Sequence, residues 1–495
     1  MNMLKGILKV LDSKDMDMLH EKTMEVLEQT GMKISSPLLL EALAGAGCKV
    51  DMKEERVWFR PDIVERQIGG QKNRYRLVRS SLTDPFCREL PQDDVAWPQD
   101  FRIDYGFNVV WMYDYPEGRY RLPTKKDQVD MIRLGDALQE VKAVNIPFVC
   151  SDFHENTETI ESAGLLLLNT RKPGVVEVND GRQVEYLAEL AYIAAQYDDD
   201  IIRTDPPVIT YVYCTTSPLR IDRRSCSVLE KSIKYKFPVC FAPMPILGGT
   251  TPVTPAGSIV IAAAEILGGI TATSLIDPDL YYFGCAITGE MDMKTTNIRF
   301  STPAAILTDA ALHQLFRYRY GLVFNIDPAY IEAKSPGIQA SLLKMYRQMA
   351  LGSTASLPLP IGVLDNASAF SPTQAMIDLE INRAIYGFAR GIEINEETID
   401  IGLIKKIGFG EKDNYLASGQ TLKYFKDILW DAELLDTSYR KNECYKAQEM
   451  DSQLLDRADK KWRGLLSSRK DIGFEPEYVK KIETVVQRAR NDLLP

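Results

Sequence analysis

The stretch PVCFAPMPILGGTTPVTPAGSIVIAAAEILGGITATSLIDPDLYYFGC, residues 238–285, contains two short runs of β-branched and aromatic residues separated by a long apolar segment. The runs at 238–244 and 280–285 have the length and composition of strands. The segment at 256–276 has the length of a helix. A strand, a helix and a second strand in this order are typical of an α/β fold built on a parallel sheet.

The same alternation extends in both directions and covers residues from about 101 to 390. Eight short runs occur, each followed by an amphipathic segment, and they begin at Ile103, Ile146, Gly174, Val208, Pro238, Leu280, Leu322 and Leu359. Eight strand–helix units over ~290 residues predict a (β/α)8 TIM barrel at 101–400. The competing doubly wound sheet lacks its usual signals, because no GxGxxG follows the first run and the chain contains no P-loop.

The flanking segments differ from this repeat. Residues 1–100 predict an N-terminal extension of helices and one β-hairpin, with Gly31 ending the first helix and Gly69 ending a later one. Residues 401–495 predict a charged, helical C-terminal tail that serves either assembly or docking. We expect the chain to form a homo-oligomer.

Composition narrows the classes of function. The 59 basic and 69 acidic residues give a net charge of −10, which is opposite to that of a general nucleic-acid binder. The most apolar stretch, 259–276, is interrupted by Glu265 and paired glycines, so no membrane span is predicted. Eight cysteines without a CxxC pair, and a start without a signal-peptide core, predict a cytoplasmic protein.

Aromatic residues are concentrated where the predicted strands end. The carboxyl ends of barrel strands form the active site in such folds. Ring faces attract an alkylammonium cation by roughly 0.5–2 kcal/mol each. The rings therefore predict a cation-binding pocket, although each ring taken alone could instead fill the barrel interior. The candidates are Tyr105, Phe107, Phe153, Tyr213, Phe283, Tyr330 and Phe370.

Two further patterns leave alternatives open. Cysteines on four different strands could converge on a zinc ion or could be small core residues; they are Cys150, Cys214, Cys240 and Cys285. The segment LGGTTPVTPAGS, which contains Gly248 and Gly249, could cradle an anion or form a tight turn before a closely packed helix. With three histidines in the whole chain, a multi-histidine metal site is not expected, and we predict no bound metal.

Several stretches together resemble a known family. They are MLHEKTMEVLEQTGMKISSP (18–37), YCTTSPLRI (213–221), GGTTPVTPAGSIVIAAAEILGGI (248–270), YRYGLV (318–323) and INEETIDIGLIKKIGFGEKDNYLASGQT (394–421). On these stretches the chain resembles the trimethylamine methyltransferase family of corrinoid-dependent methyltransferases, in its branch without pyrrolysine. The resemblance implies a (β/α)8 barrel and a methyl acceptor that is a corrinoid, a cobalamin, carried by a cognate partner protein.

The resemblance also points to Tyr330. Laying YGLVFNIDPAYIEAKSPGIQA (320–340) on the segment that holds pyrrolysine in the founding enzymes places Tyr330 where pyrrolysine would stand. A methyl group leaves nitrogen readily when the departing amine is neutral, so trimethylamine must first become charged, whereas a quaternary ammonium already is. We therefore predict a quaternary amine as the substrate: glycine betaine, proline betaine, carnitine or γ-butyrobetaine.

Under this hypothesis the seven rings form the cage and Tyr330 positions the methyl group. Asn108, His154 and Asp327 are candidate polar contacts to the remainder of the substrate. Two alternatives from other classes stay open. One is a zinc-activated methyltransferase or hydrolase that uses the strand-end cysteines, and the other is a quaternary-ammonium-binding protein without catalytic activity.

Overall fold

The structure is a computed structural model that describes residues 9–72, 102–197, 207–210, 215–352, 358–389, 392–411, 413–429, 432–439 and 445–494. Its helices are α1 Ser13–Glu25, α2 Pro37–Gly45, α3 Pro61–Lys72, α4 Lys125–Ala137, α5 Glu158–Asn169, α6 Gly181–Ala194, α7 Arg223–Lys234, α8 Pro255–Ser274, α9 Pro303–Gln314, α10 Ile338–Gly352, α11 Pro372–Ala389, α12 Glu396–Ile399, α13 Ile401–Ile407, α14 Gly419–Ile428, α15 Ala447–Ser468 and α16 Pro476–Leu493. Wider π-helical turns at Val26–Thr30 and Leu315–Tyr320 extend α1 and α9.

The strands are short, and seven of the eight predicted runs overlap at least one of them. They are β1 Met32–Ile34, β2 Lys49–Asp51, β3 Arg56–Trp58, β4 Arg102–Tyr105, β5 Trp111–Asp114, β6 Arg119–Arg121, β7 Val141–Val144, β8 Gly174–Val175, β9 Val208–Ile209, β10 Arg220–Ile221, β11 Val239–Phe241, β12 Ile246–Leu247, β13 Tyr282–Ala286, β14 Gly289–Met291, β15 Ile298–Arg299, β16 Phe324–Ile326, β17 Pro358–Ile361, β18 Val363–Leu364 and β19 Ala369–Phe370.

The central strands run parallel. One ladder has the order β17–β4–β7, and another has the order β11–β13–β16. The amides of Val144 and Ile146 donate to Pro173 and Val175, which links β7 to β8, and β8 pairs with β9. β17, from the last predicted run, thus lies beside β4, from the first predicted run, and helices pack outside the central strands. The predicted α/β class is confirmed; among the described residues no ladder joins β9 to β11 or β16 to β17.

The first predicted run, 103–113, is divided between β4 and β5. Gly106 has φ of 92° and Asn108 has φ of 49°, so the chain leaves the extended conformation between the two strands. A Cβ atom on Gly106 would lie 2.5 Å from the carbonyl oxygen of Asn145, which only glycine avoids. The second run also differs, since its strand is β7 and not 146–150. This break places residues 106–108 at the mouth of the central strands.

The N-terminal extension has the predicted hairpin of β2 and β3, and β1 joins it to β10. Gly31, with φ of 72°, follows the π-helical turn as expected of a helix end. The prediction that α3 stops at Gly69 is wrong, because α3 continues to Lys72. The side chain of Gln71 donates to the carbonyl of Pro278 and holds this last turn.

Helix α8 is long and apolar enough to cross a membrane, but 78% of its most apolar window is buried within the protein. Its paired glycines explain this close packing. A Cβ atom on Gly268 would meet Met32, and one on Gly269 would meet the ring of Phe241. Helix α8 is therefore a core helix in this structure. In the C-terminal tail, α15 packs on α11 and α4, and α16 packs on α5 and α6.

Candidate functional site

A cavity lies at the carboxyl ends of the central parallel strands. Its volume is about 80 Å³. One water molecule needs roughly 10–15 Å³ by this measure, so the cavity has room for one small organic molecule. The apolar part of the wall consists of Phe107, Ile146, Val175, Phe283, Ile326 and Pro360. The polar part consists of Asn108, Asn145, Glu177, Asn325 and Asp327, and the thiols of Cys240 and Cys285 complete the wall.

Four of the residues predicted from the sequence thus line one cavity: Phe107, Asn108, Phe283 and Asp327. Tyr330 stands next to them. Its ring centroid lies 6.0 Å from that of Phe107 in an edge-on arrangement, and 4.9 Å from that of Phe300. Tyr330 is half-buried, and its ring packs with the rings of Phe107 and Phe300 beside the cavity wall. These three rings are here called the aromatic corner.

Two predicted rings lie elsewhere. Tyr105 and Phe370 are fully buried, with their ring centroids 5.2 Å apart, and neither lines the cavity. The hydroxyl of Tyr105 donates to the sulfur of Met131 on α4, so this side chain faces the helix layer. Phe370 also contacts Phe148, at 5.8 Å between centroids. In this structure both rings are core residues, and they pack β4 and β19 against neighbouring elements.

Phe153 and His154 lie in the loop before α5 and do not line the cavity. Phe153 is half-buried against the hydrophobic core. The exposed His154 accepts a hydrogen bond from the amide of Asn156 at its Nδ1, and its carbonyl accepts one from Thr157. His154 thereby shapes the start of α5. The predicted Tyr213 lies outside the described residues.

The cavity is acidic. Glu177 follows β8, and Asp327 follows β16, so two carboxylates enter the wall from different strands. The side-chain amide of Asn108 lies 3.5 Å from Glu177 Oε2, and the backbone amide of Ala329 donates to Asp327 at 2.9 Å. The described lining residues include no lysine, arginine or histidine. Such a wall favours a cation.

The phenol of Tyr330 is neutral. Burial raises the pKa of Tyr330 well above its usual value, and the charges of Asp327 and Glu177 raise it further. The ring thus offers its face and an uncharged hydroxyl, and it does not add a third negative charge to the cavity.

A buried ion pair holds the backbone next to the aromatic corner. Arg347 on α10 and Asp309 on α9 are both fully buried, 3.0 Å apart. Arg347 also donates to the carbonyls of Phe300 and Asp327, and Asp309 accepts from the amide of Thr288. Burial raises the pKa of Asp309 to about 6, although Arg347 and the hydrogen bonds from Thr288 oppose this shift. The ion pair therefore holds the backbone at Phe300 and at Asp327, the two segments next to Tyr330.

Two of the four cysteines considered for zinc line the cavity. A hydrogen bond with Cys240 and burial raise the pKa of Cys285 well above its usual value, so the two thiols are a hydrogen-bonded pair in the wall. Cys150 instead donates to the carbonyl of Thr124, and Cys214 lies outside the described residues. In the part of the chain that the structure describes, no three His, Cys, Asp or Glu side chains are grouped to hold a metal ion.

The glycine-rich loop is a tight turn. The amide of Gly248 donates to the carbonyl of Thr251, and that of Gly249 donates to Ile246, so both amides are used within the loop. Of the two interpretations of this segment, the turn before a closely packed helix is confirmed.

Asn145 and Asn325 also belong to the wall, and neither was expected. The side chain of Asn145 accepts from the amide of Val175 and donates to the carbonyl of Gly106, so it ties two strand ends together. The predicted second strand, 146–150, begins after Asn145, so the sequence pattern did not indicate Asn145 as a residue at a strand end. Asn325 is a polar residue in the middle of a buried strand, between Phe324 and Ile326, and that pattern could have identified it.

Comparison with known proteins identifies the family of the chain. The profile of the trimethylamine methyltransferase (MTTB) family matches residues 3–493, nearly the whole chain. The chain belongs to the trimethylamine methyltransferase family. It is 27% identical over 432 residues to trimethylamine methyltransferase MttB of Desulfitobacterium hafniense (strain DSM 10664 / DCB-2), covering 86% of this chain and 83% of that protein.

A second relative differs in the substrate that its name gives. Over 488 residues, 97% of each chain, this member of the trimethylamine methyltransferase family is 22% identical to glycine betaine methyltransferase of D. hafniense (strain Y51). Among solved structures, the monomethylamine methyltransferase MtmB of Methanosarcina barkeri matches with a TM-score of 0.47 and 13% identity, covering 92% of this chain and 94% of that one. The family is one of methyltransferases that act on methylated amines, as the names of these relatives indicate.

Proposed function

We propose that this protein transfers a methyl group from a small quaternary amine to the reduced corrinoid of a cognate partner protein. The observation that carries the proposal is the cavity at the strand ends, where aromatic rings and two carboxylates enclose a volume suited to a small cation. The substrate class is a quaternary ammonium, with glycine betaine, proline betaine, carnitine and γ-butyrobetaine as candidates.

The rings and the carboxylates have complementary tasks. Phe107, Phe283 and Tyr330 supply ring faces and edges, and each well-placed face stabilises an alkylammonium by roughly 0.5–2 kcal/mol. Glu177 and Asp327 supply long-range attraction in a poorly solvated site. Neither group can hydrogen-bond to a quaternary nitrogen, which has no proton to donate. Binding therefore relies on charge and shape, and Tyr330 has the position to aim one methyl group.

The chemistry needs no acid from the protein. The N–CH3 bond breaks, and its electron pair stays on nitrogen, so a neutral tertiary amine group leaves. The methyl group is taken up, without its bonding electrons, by the cobalt(I) of the corrinoid, which supplies both electrons of the new bond. The residues of the cavity have only to hold the substrate with one methyl group facing outward, in line with the acceptor.

The corrinoid belongs outside this cavity. A corrinoid macrocycle is far larger than about 80 Å³, so the wall fits the amine and leaves the acceptor to the partner protein. We also propose that the central strands close into a (β/α)8 barrel at 101–400 between the extension and the tail; the place of the last strand beside the first supports this closure. The free thiols of the described cysteines support a cytoplasmic location.

The test is turnover with a panel of amines. The purified protein receives cob(I)alamin or a corrinoid protein, together with glycine betaine, proline betaine, carnitine, γ-butyrobetaine, choline or trimethylamine. We expect methylcobalamin and the matching tertiary amine from at least one quaternary amine. Activity on trimethylamine alone would overturn the substrate class. Tight binding of a quaternary amine with no demethylated product would instead identify a binding protein.

A further inference from the structure

Residues 392–429, here called the arm, expose an unusual amount of apolar surface. Twelve large apolar side chains of its described residues are exposed, with Phe409, Leu416 and Ile392 at 101%, 80% and 75%. Among the side chains of the arm whose burial the structure describes, Ile407 alone is buried. Summed over these twelve side chains, the exposed area is on the order of 1,000 Å², and apolar exposure of this extent is typical of an interaction surface. A standard interface needs about 800 Å² from each partner.

The arm is folded and is not a loose tail. Asn395 caps α12 with a capping box, and Asp400 caps α13 through the amide of Leu403. The side chain of Gln420 on α14 donates to the carbonyl of Thr398, so α14 is fastened to α12. Helices of this length are not stable alone in water and need packing against another surface. Within the described chain, the twelve large apolar side chains of the arm stay exposed and do not receive that packing.

A second uncovered surface lies on α10. The exposed side chains of α10 are Ile338, Gln339, Leu342, Met345 and Tyr346, and none of them is charged. Four of these are large apolar residues, spaced so that they form one stripe along the helix. Solvent-facing helix surfaces normally carry charges, as α16 does with Glu477, Lys480 and Lys481. The outer face of α10 therefore has the composition of a contact surface.

We infer that the arm of one chain covers the outer face of α10 in a second copy of the same chain, and that the contact is reciprocal. Each copy has one apolar arm and one bare helix face, so a two-fold pair satisfies both surfaces at once. The arm also carries mixed charges, acidic at Glu396 and Glu397 and basic at Lys405 and Lys406, so a second copy is not repelled.

A second copy suits this surface better than the corrinoid protein does. An apolar area of this size needs a permanent cover, because its exposure in a free chain leads to aggregation. A corrinoid protein that exchanges methyl groups with other enzymes must dissociate and return. The assembly also has a consequence for the site, since α10 carries Arg347, which anchors the corner around Tyr330.

The first test is the mass of the intact protein in solution, measured by light scattering or sedimentation at micromolar concentration. We expect at least twice the mass of one chain. Leu422→Glu in the arm should weaken association at least tenfold. Met18→Glu on α1 is the matched control, since these side chains are 68% and 65% exposed and each new Glu precedes a lysine by four residues, Lys426 or Lys22. A monomeric wild-type protein, or equal effects of both variants, would overturn the inference.

Complementation then tests which surfaces meet. Leu422→Glu damages the arm and Leu342→Glu damages the face of α10, so a reciprocal pair of either variant alone has both contacts damaged. In a mixed pair one of the two contacts is intact, because the unchanged arm of the Leu342→Glu chain meets the unchanged α10 of the Leu422→Glu chain. We expect the mixture to associate more tightly than either variant alone. If mixing restores no association, the arm does not contact α10 of a second copy.

Discussion

Two aromatic clusters lie within a few residues of each other at the strand ends, and they have different environments. Phe107, Phe283 and Tyr330 are grouped at a cavity with carboxylates in its wall. Tyr105, Phe148 and Phe370 pack edge to face with no exposed surface. Both clusters consist of aromatic residues in or beside the strands: Phe283 lies in β13 and Phe107 follows β4, while Tyr105 ends β4 and Phe370 ends β19. We propose from this comparison that a ring near a strand end can serve a ligand site only where the neighbouring backbone turns it toward open space.

The backbone at Gly106 makes this difference. Tyr105 ends β4 and faces α4, whereas Phe107 follows a residue with φ of 92° and turns into the cavity. We therefore expect substitutions in the packed cluster to lower stability without changing substrate binding. Substitutions of Phe107 and Tyr330 in the cavity cluster should do the reverse, whereas loss of the Phe283 ring, which is 1% exposed, should lower stability as well.

The largest effect is expected from Phe370→Ala. Removing a fully buried ring leaves a void, and the free energy of unfolding should fall by about 3–5 kcal/mol. Denaturant unfolding measures the loss, and the KM of the folded enzyme for its amine should stay within about twofold. If the KM of Phe370→Ala rises strongly while its free energy of unfolding is unchanged, Phe370 acts on the substrate and the distinction between the two clusters is wrong.

Tyr330 gives the next effect. Tyr330→Ala removes the ring beside Phe107, so kcat/KM should fall roughly 10–100-fold, which corresponds to the loss of one well-placed ring contact and of methyl alignment. Tyr330→Phe keeps the face and should remain within about threefold of wild type. Steady-state kinetics on the three proteins decide this point, and equal values for all three would remove Tyr330 from the site.

Asp327→Asn should have a somewhat smaller effect. The change removes one negative charge from the wall and keeps the shape, so the dissociation constant for a cationic substrate should rise about tenfold. The effect should largely persist at high salt, because Asp327 is half-buried and a partly buried charge is less screened than an exposed one. The control is Asp471→Asn, at a side chain that is 84% exposed. Should both variants bind alike, the carboxylate of Asp327 does not act on the ligand.

The smallest effect concerns acid stability on the packed side of the strands. Burial lowers the pKa of His313, which lies against Phe324, to about 3. The unfolded chain binds a proton near pH 6.5 while the folded protein does not, so this histidine destabilises the fold progressively as the pH falls from 6.5 toward 3. At pH 5.8 the loss is about 1 kcal/mol. His313→Gln should flatten the pH dependence of unfolding, and an unchanged slope would argue against a neutral buried ring.

Much of the framework follows from sequence patterns, because strand and helix periods depend on local residue spacing. The alternation around 238–285 predicted β11, α8 and β13, and rings and acids after strands predicted Phe107, Phe283 and Asp327. The direction of Tyr105 did not follow, since it depends on the backbone at Gly106.

The buried ion pair next to the site could not be predicted from the sequence either. Arg347 and Asp309 lie 38 residues apart on different helices, and only the packing of α9 on α10 brings them together. The sequence pattern did not indicate Asn145, because β7, the strand that it follows, begins five residues earlier than the apolar run at 146–150 suggested. Long-range pairs of this kind leave no local periodic signal.

The central claim is that the cavity recognises positive charge and not shape alone. Isothermal titration of choline against its neutral carbon isostere, 3,3-dimethylbutan-1-ol, tests this most directly, because the two molecules differ in one atom at the branching centre. We expect the cation to bind at least tenfold more tightly, and Asp327→Asn to shrink that ratio. Equal affinities for the cation and the isostere in the wild-type protein would contradict the account.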